Sequence, residues 1–146
     1  MKVKVAYSQK SDINSIITDV KNQIGSFEAK FIQFYASSNI DPEKISKEIH
    51  SAFNNVPTFG SSSSGEITSG KMMDNSLVIM AMGPEIIEDC KIEILTNIKK
   101  DDSVVDKAFL SFASYYGSDM ANLDTKKYVG LLLIDGLSGK EERINE

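Results

Sequence analysis

The sequence predicts an α/β domain: a mixed β-sheet with flanking helices in the order β-α-β-α-β-β-β-α-β, truncated as a further helix begins. Three observations carry this. Two strand-like stretches near the start are each followed by an amphipathic helical stripe. The segment from about residue 57 to 96 has no helical periodicity, which inserts an antiparallel meander between parallel βα units. A last helical stripe is followed by the most apolar run of the chain, residues 128–134.

Residues 2–8 alternate, with Val3, Val5 and Tyr7 on one face and Lys2 and Lys4 on the other, as a half-covered strand near a sheet edge does. Ser11 or Asp12 can cap a helix whose apolar positions Ile13, Ile16, Ile17, Val20 and Ile24 share one face, with Gly25 as its stop. Residues 31–36 read as a strand apolar on both faces. Asp41-Pro42-Glu43 then opens a second helix with Ile45, Ile49, Ala52 and Phe53 as its buried stripe. His50 falls off that stripe and reads as a solvated side chain, not a base or a metal ligand.

Residues 70–75 form a turn, and residues 77–82 are a continuous apolar run expected at the centre of the sheet, ended by Gly83-Pro84. Cys90, Ile92 and Ile94 alternate with Lys91 and Glu93 in a further strand, where Cys90 packs as a small buried hydrophobe. Ser103-x-x-Asp106 starts the third helix in the manner of a capping box, and Val105, Ala108, Phe109, Phe112 and Tyr116 form its stripe before Gly117. The strand at residues 128–134 ends on Asp135-Gly136, a carboxylate at the end of an apolar strand, where open α/β sheets place ligands.

Composition narrows the function classes. At 146 residues the chain is expected to be one domain, long enough to bury roughly two-thirds of the surface of its unfolded form. Its single cysteine excludes an intramolecular disulfide and any multi-cysteine metal site, which suits a reducing compartment and makes the cytoplasm the expected location. No apolar run reaches the ~20 residues of a membrane-spanning helix, and Met1 passes directly into the first strand with no leader pattern. A net charge of −5, from 16 basic and 21 acidic residues, offers no basic field for a phosphate backbone, so nucleic acid is not an expected partner. No cofactor or metal motif is present.

The stretch with the most chemistry is residues 57–67, Pro-Thr-Phe-Gly-Ser-Ser-Ser-Ser-Gly-Glu-Ile. Gly60 and Gly65 can take positive φ or let another group approach closely, while Ser61, Ser62, Ser63 and Ser64 and the free N–H groups donate to a polar guest. A P-loop would need Lys and Ser/Thr after the second glycine, where Glu66 and Ile67 stand, and a nucleophile elbow needs glycines four positions apart where these are five. Triphosphate binding and serine hydrolysis are thereby rejected. The candidate ligand-binding residues are Gly60, Ser61, Ser62, Ser63, Ser64, Gly65, Glu66 and Asp135, with the donors facing a carboxylate and an acid facing an ammonium. The simpler reading is a strand that leaves the sheet through a serine turn, with Glu66 a turn carboxylate and Asp135 a turn-former.

Residues 56–67, followed about ten residues later by Ser76-Leu77-Val78-Ile79-Met80-Ala81, and the closing Leu131-Leu-Leu-Ile134-Asp135-Gly136-Leu137-Ser138-Gly139 resemble the N-terminal half of the FIST family of intracellular signal-transduction domains. The resemblance implies a sensory module that recognises a small ligand, an amino acid being the expected class, and that occurs alone or beside transmitter domains. The chain departs from the family pattern at Ser61, where a cysteine is common, which weakens any role requiring a thiol there. Family members also continue into a C-terminal FIST half, so residues 1–146 are expected to be one FIST N-terminal-like domain of a longer protein. A C-terminal half or a transmitter domain is the expected partner, and a homodimer is expected to cover the apolar strand at residues 128–134 otherwise. Two other classes stay open: a small enzyme using Glu66 or Asp135 as general base, and an interaction module without ligand.

Overall fold

The computed structural model describes residues 2–145, which divide into two compact units at Cys90. In the first unit, β1 (Val3–Ser8), α1 (Ile13–Ile24), β2 (Phe31–Ser37), α2 (Pro42–Ala52) and β3 (Thr58–Ser63) follow one another. A two-stranded hairpin of β4 (Glu66–Thr68) and β5 (Lys71–Met73) then leads into β6 (Leu77–Met82). The main sheet has the order β1-β6-β2-β3, with β6 antiparallel to both neighbours and β2 parallel to β3. β1, β2 and β3 therefore run in one direction and β6 returns between them. The expected mixed sheet, the edge position of the first strand and the central position of residues 77–82 are all present.

The helices form for reasons visible in their sequences. Asp12 Oδ1 accepts from the Ser15 amide at 2.9 Å at the start of α1, and Gly25 ends it with φ 58°. Asp41 Oδ1 accepts from the Glu43 and Lys44 amides, both at 3.1 Å, with Pro42 in the first turn of α2. Ile16, Ile17, Val20 and Ile24 of α1 and Ile45 and Ile49 of α2 pack onto Ala6, Ile32, Phe34, Ala36, Leu77, Ile79 and Ala81 of the sheet. Each large aliphatic side chain so buried contributes about 1.5–3 kcal/mol. His50 is exposed, and its Nδ1 lies 3.1 Å from the Val56 carbonyl just after α2, a loop contact with no catalytic group near it on that bond.

The second unit contains α3 (Ser103–Tyr116), two short 3-10 turns at Met120–Asn122 and Gly136–Ser138, and α4 (Glu141–Asn145). Glu146, the last position of the helix expected to begin at 141, lies outside the described residues. α3 starts differently from the expected Ser103-x-x-Asp106 capping box: its N-cap is Asp102, and Asp101 before it accepts from the Ser103 amide at 3.0 Å and the Ser103 hydroxyl at 2.6 Å. Val105 and Ala108 are buried, Phe109 is 46% exposed, and Gly117 closes the helix at φ 69°.

Two stretches read as strands have no ladder among the described residues. Residues 90–94 are instead held by side chains: the Lys91 amide donates to Tyr116 Oη at 3.2 Å, Lys91 pairs with Glu93 at 3.0 Å, and Glu93 accepts from Ser111 of α3 at 2.6 Å. It is the polar positions of the alternation, Lys91 and Glu93, that meet α3, while Ile94 is 82% exposed. Cys90 is partly buried, and that burial, with Asp89 beside it, pushes its thiol above the ordinary value of 9.0. Residues 128–134 follow a turn in which the Lys127 and Tyr128 amides donate to the Asp124 carbonyl. Val129 is 80% exposed and Leu131 55%. Apolar content gives this run its strand preference, but a ladder also needs a partner edge.

Candidate functional site

The four strands of the main sheet all meet one end of it with serine. Ser8, Ser37 and Ser63 close β1, β2 and β3, and Ser76 immediately precedes β6. Ser8, Ser37 and Ser76 are buried. Because the first three strands run together, this is the carboxyl end of the parallel set, the place where open α/β sheets receive ligands.

Glu66, on the hairpin, is driven into this rim and is only 1% exposed. Its Oε2 accepts from the Ser37 and Ser76 hydroxyls, both at 2.5 Å, and its Oε1 accepts from the Ser63 hydroxyl at 2.7 Å. Ser37 Oγ in turn accepts from the Ser76 amide at 2.8 Å. Burial pushes the Glu66 carboxyl up, but the donors from Ser37, Ser76 and Ser63 together outweigh it and hold the group below its ordinary value of 4.5. The result is an ionised carboxylate held by three hydroxyls, which ties the hairpin to the ends of β2, β3 and β6. Farther along, Lys71 Nζ donates to Tyr7 Oη at 2.9 Å and Gln9 Nε2 to the Asp74 carbonyl at 3.2 Å, so the hairpin and the turn after it reach across to β1.

The residues singled out in the sequence fall into separate roles. Gly60 sits opposite Phe34 in the β2–β3 ladder, and a Cβ there would lie 2.2 Å from the Phe34 carbonyl oxygen and 2.7 Å from its ring. Of the two reasons the sequence offered for these glycines, positive φ or close approach of another group, Gly60 shows the second, with Phe34 packed against it, and neither Gly60 nor Gly65 has positive φ. Ser61 is half-buried and level with Tyr35 across the ladder, while Ser62 and Ser64 are exposed. Ser63 is committed to Glu66. Asp135 belongs to the second unit, is exposed, and accepts from the Leu137 amide at 3.0 Å, which makes it the former of the 3-10 turn.

Sequence reasoning missed Ser37 and Ser76, the two buried donors to Glu66. Each is a polar residue abutting an apolar strand, Ala36-Ser37 and Ser76-Leu77, a signal too common to be read without knowing that the two strands are neighbours. It also missed the groups around α1. One shallow depression is lined by Tyr7, Ser8, Gln9, Lys10, Asp19 and Gln23, and an adjoining one along α1 shares Lys10 and Asp19; neither is lined by residues 60–66.

A family model, the FIST N domain, matches residues 30–146. The chain belongs to the FIST N family. FIST domains are sensory domains of signal-transduction proteins, and Ser37, Ser63, Ser76 and Glu66 lie within the matched part of this one, whereas Ser8 precedes it. No curated protein is similar enough to this FIST N chain to count as a match. Among solved structures it is similar to the GDP-form protofilaments of TubZ from Bacillus thuringiensis serovar israelensis, at 12% identity over 56% of this chain and 25% of that one, with a TM-score of 0.36. It is also similar to an FtsZ mutant of M. jannaschii, at 8% identity over 56% and 27% with a TM-score of 0.35, and to a four-stranded TubZ-Bt filament, at 12% over 80% and 29% with a TM-score of 0.35. The chain spans less than a third of the length of those proteins, and likenesses this slight say nothing about function. Among the described residues, no helix is long and apolar enough to cross a membrane, and no group of three or more His, Cys, Asp or Glu residues is placed to hold a metal ion.

Proposed function

We propose that this FIST N domain is the sensing part of a cytoplasmic signal-transduction protein and that it binds a small polar molecule, an amino acid or a close relative, at the carboxyl end of its sheet. The observation that carries this reading is the ordered, serine-rich carboxyl end of the sheet, the position where such sheets take ligands: the buried Glu66 carboxylate fixes the Ser37, Ser63 and Ser76 hydroxyls beside the serines of residues 61–64. Glu66 acts there as a positioning group. The hydroxyls of Ser61, Ser62 and Ser64, which take no part in the Glu66 cluster, are the ones proposed to touch the ligand. Output would pass to a transmitter domain or a C-terminal FIST half.

The enzyme reading is weaker. A carboxylate that already accepts three hydrogen bonds and is held below its ordinary value is a poor proton acceptor at neutral pH. A second location for the ligand is favoured by the depression at the carboxyl end of β1, where Lys10 and Asp19 present opposite charges suited to a zwitterion.

Thermal shift against a panel of amino acids, amines and carboxylates tests the proposal. A ligand at 100 times its dissociation constant stabilises by about 2.7 kcal/mol. Ser61→Ala and Ser64→Ala are expected to weaken it about fivefold each, one neutral hydrogen bond of about 1 kcal/mol, with the unliganded melting temperature unchanged. If Lys10→Ala abolishes the shift and the serine variants do not, the ligand sits at the second location. If no compound shifts the domain, the small-molecule reading fails and the interaction module takes its place.

A further inference from the structure

The depression at the carboxyl end of β1 has a volume of about 340 Å³ and lies wholly within the first unit. That volume is at the small end of ordinary ligand sites. Lys10 and Asp19 both line it, yet no ion pair joins them, and neither has another salt-bridge partner among the described residues. A cation and an anion held apart across one depression are the complement of a zwitterion.

Asp19 is also held in place. It stands in the interior of α1, where aspartate is a weak helix former and has no capping role. Gln23, one turn on, donates through Nε2 to Asp19 Oδ1 at 3.1 Å. The same side-chain amide clasps the Tyr7 backbone of β1, donating to its carbonyl at 2.6 Å and accepting from its amide at 3.1 Å. Gln23 is thereby fixed to the strand and fixes Asp19 in turn. Ser8, only 1% exposed, supplies a buried polar group to the lining: its hydroxyl accepts from the Lys10 amide at 3.3 Å and donates to no group among the described residues. A hydroxyl has one hydrogen besides its lone pairs, so Ser8 has a donor left to give. The adjoining depression along α1 shares Lys10 and Asp19, and the rest of its lining is Asn14, Ser15, Thr18 and Asn22. Each of these is short, uncharged and able to hydrogen-bond.

We infer that the two depressions form one site for a small zwitterion with a polar, uncharged body, the chemistry of an amino acid bearing a hydroxyl or amide side chain. Asp19 takes the ammonium, and Lys10 with the Ser8 hydroxyl takes the carboxylate. Asn14, Ser15, Thr18 and Asn22 meet the side chain. Gln23 is a positioning residue that acts through Asp19. The inference rests on the small-molecule reading above and gives its second location a ligand class and a set of contacts.

Amide NMR of the full chain tests it, with L-asparagine, L-leucine and acetate as probes. Asparagine is expected to shift the amides of residues 8–10 and 19–23 saturably at millimolar concentration, and leucine, which leaves the polar lining unsatisfied, to bind at least about fivefold more weakly. Asp19→Asn is expected to weaken asparagine about tenfold, the loss of one charge-assisted hydrogen bond, with the unliganded melting temperature unchanged. Acetate needs only Lys10 and Ser8, so its shifts at residues 8–10 should not weaken in Asp19→Asn or in Gln23→Met, whereas Gln23→Met should weaken asparagine. If Gln23→Met loses acetate and asparagine alike, its role is structural and its assignment falls. No asparagine shift at residues 8–10 and 19–23, no acetate shift at residues 8–10, or equal affinity for leucine overturns the inference. Shifts at residues 61–64 that ignore Asp19→Asn leave a ligand at the serine rim and overturn this inference alone; spectra unmoved by any small molecule overturn the parent reading as well.

Discussion

Gly60→Ala is expected to unfold the first unit, or at the least to lower its melting temperature by about 10 °C, because the new methyl group has nowhere to go. Its Cβ would stand 2.2 Å from the Phe34 carbonyl oxygen, a backbone atom of the neighbouring strand that cannot move without breaking the ladder on either side. The Phe34 ring is as close, at 2.7 Å, and it is part of the core under α1 and α2. Overpacking of a well-packed core costs about 1–3 kcal/mol, and contact with backbone puts this case at the top of that range or beyond. Gly65→Ala is the control. Its Cβ would meet the Met73 carbonyl at 3.4 Å and Met72 Cε at 3.9 Å, ordinary contacts, so its midpoint in urea is expected to stay close to that of the wild type. Equal midpoints for the two variants would show that Phe34 does not fill the space beside Gly60.

Glu66→Ala is the second large effect, with a loss of about 3 kcal/mol or more. It leaves the Ser37, Ser63 and Ser76 hydroxyls without their acceptor and opens a cavity at a site 1% exposed. Glu66→Gln keeps the volume but replaces one accepting oxygen with a donor, and it is expected to cost about 1–2 kcal/mol. The pH dependence has a fixed sign. The folded carboxyl is held below its ordinary value of 4.5, so folding favours the ionised form; that contribution is fully present above about 4.5 and is lost as the pH falls through the folded value. Urea midpoints measured at pH 7 and pH 3 should therefore fall more for the wild type than for Glu66→Gln. Equal falls would mean that Glu66 is not ionised in the folded chain.

Much of the first unit is legible in its amino-acid sequence, because the signals there are local. Asp12 with Ile13, Ile16, Ile17, Val20 and Ile24, and Asp41-Pro42 with Ile45 and Ile49, each specify a helix and the face it buries without reference to the rest of the chain. The run Leu77–Met82 announces a central strand by being apolar on both faces. The role of Glu66 is not legible in the same way. Its donors come from positions 29, 3 and 10 residues distant, and only the register that sets β6 between β1 and β2 brings Ser37 and Ser76 to one carboxylate. Gly60 shows the same limit: the sequence marks a glycine, but that its hydrogen faces Phe34 is a property of the β2–β3 register. Residues 128–134 fail for a third reason. Their composition fits a strand, but a ladder needs a partner edge, and composition names none.

The sensing role is tested most directly by recording amide NMR spectra of the chain while titrating in amino acids and related small amines and carboxylates. The expected result is saturable shifts for at least one compound, concentrated at the amides of Ser61, Ser62 and Ser64 and fading away from the carboxyl end of the sheet, with Ser61→Ala moving the midpoint about fivefold. Spectra that do not change with any compound at millimolar concentration, or shifts confined to positions far from that end of the sheet, would contradict a small-molecule site at the serine rim.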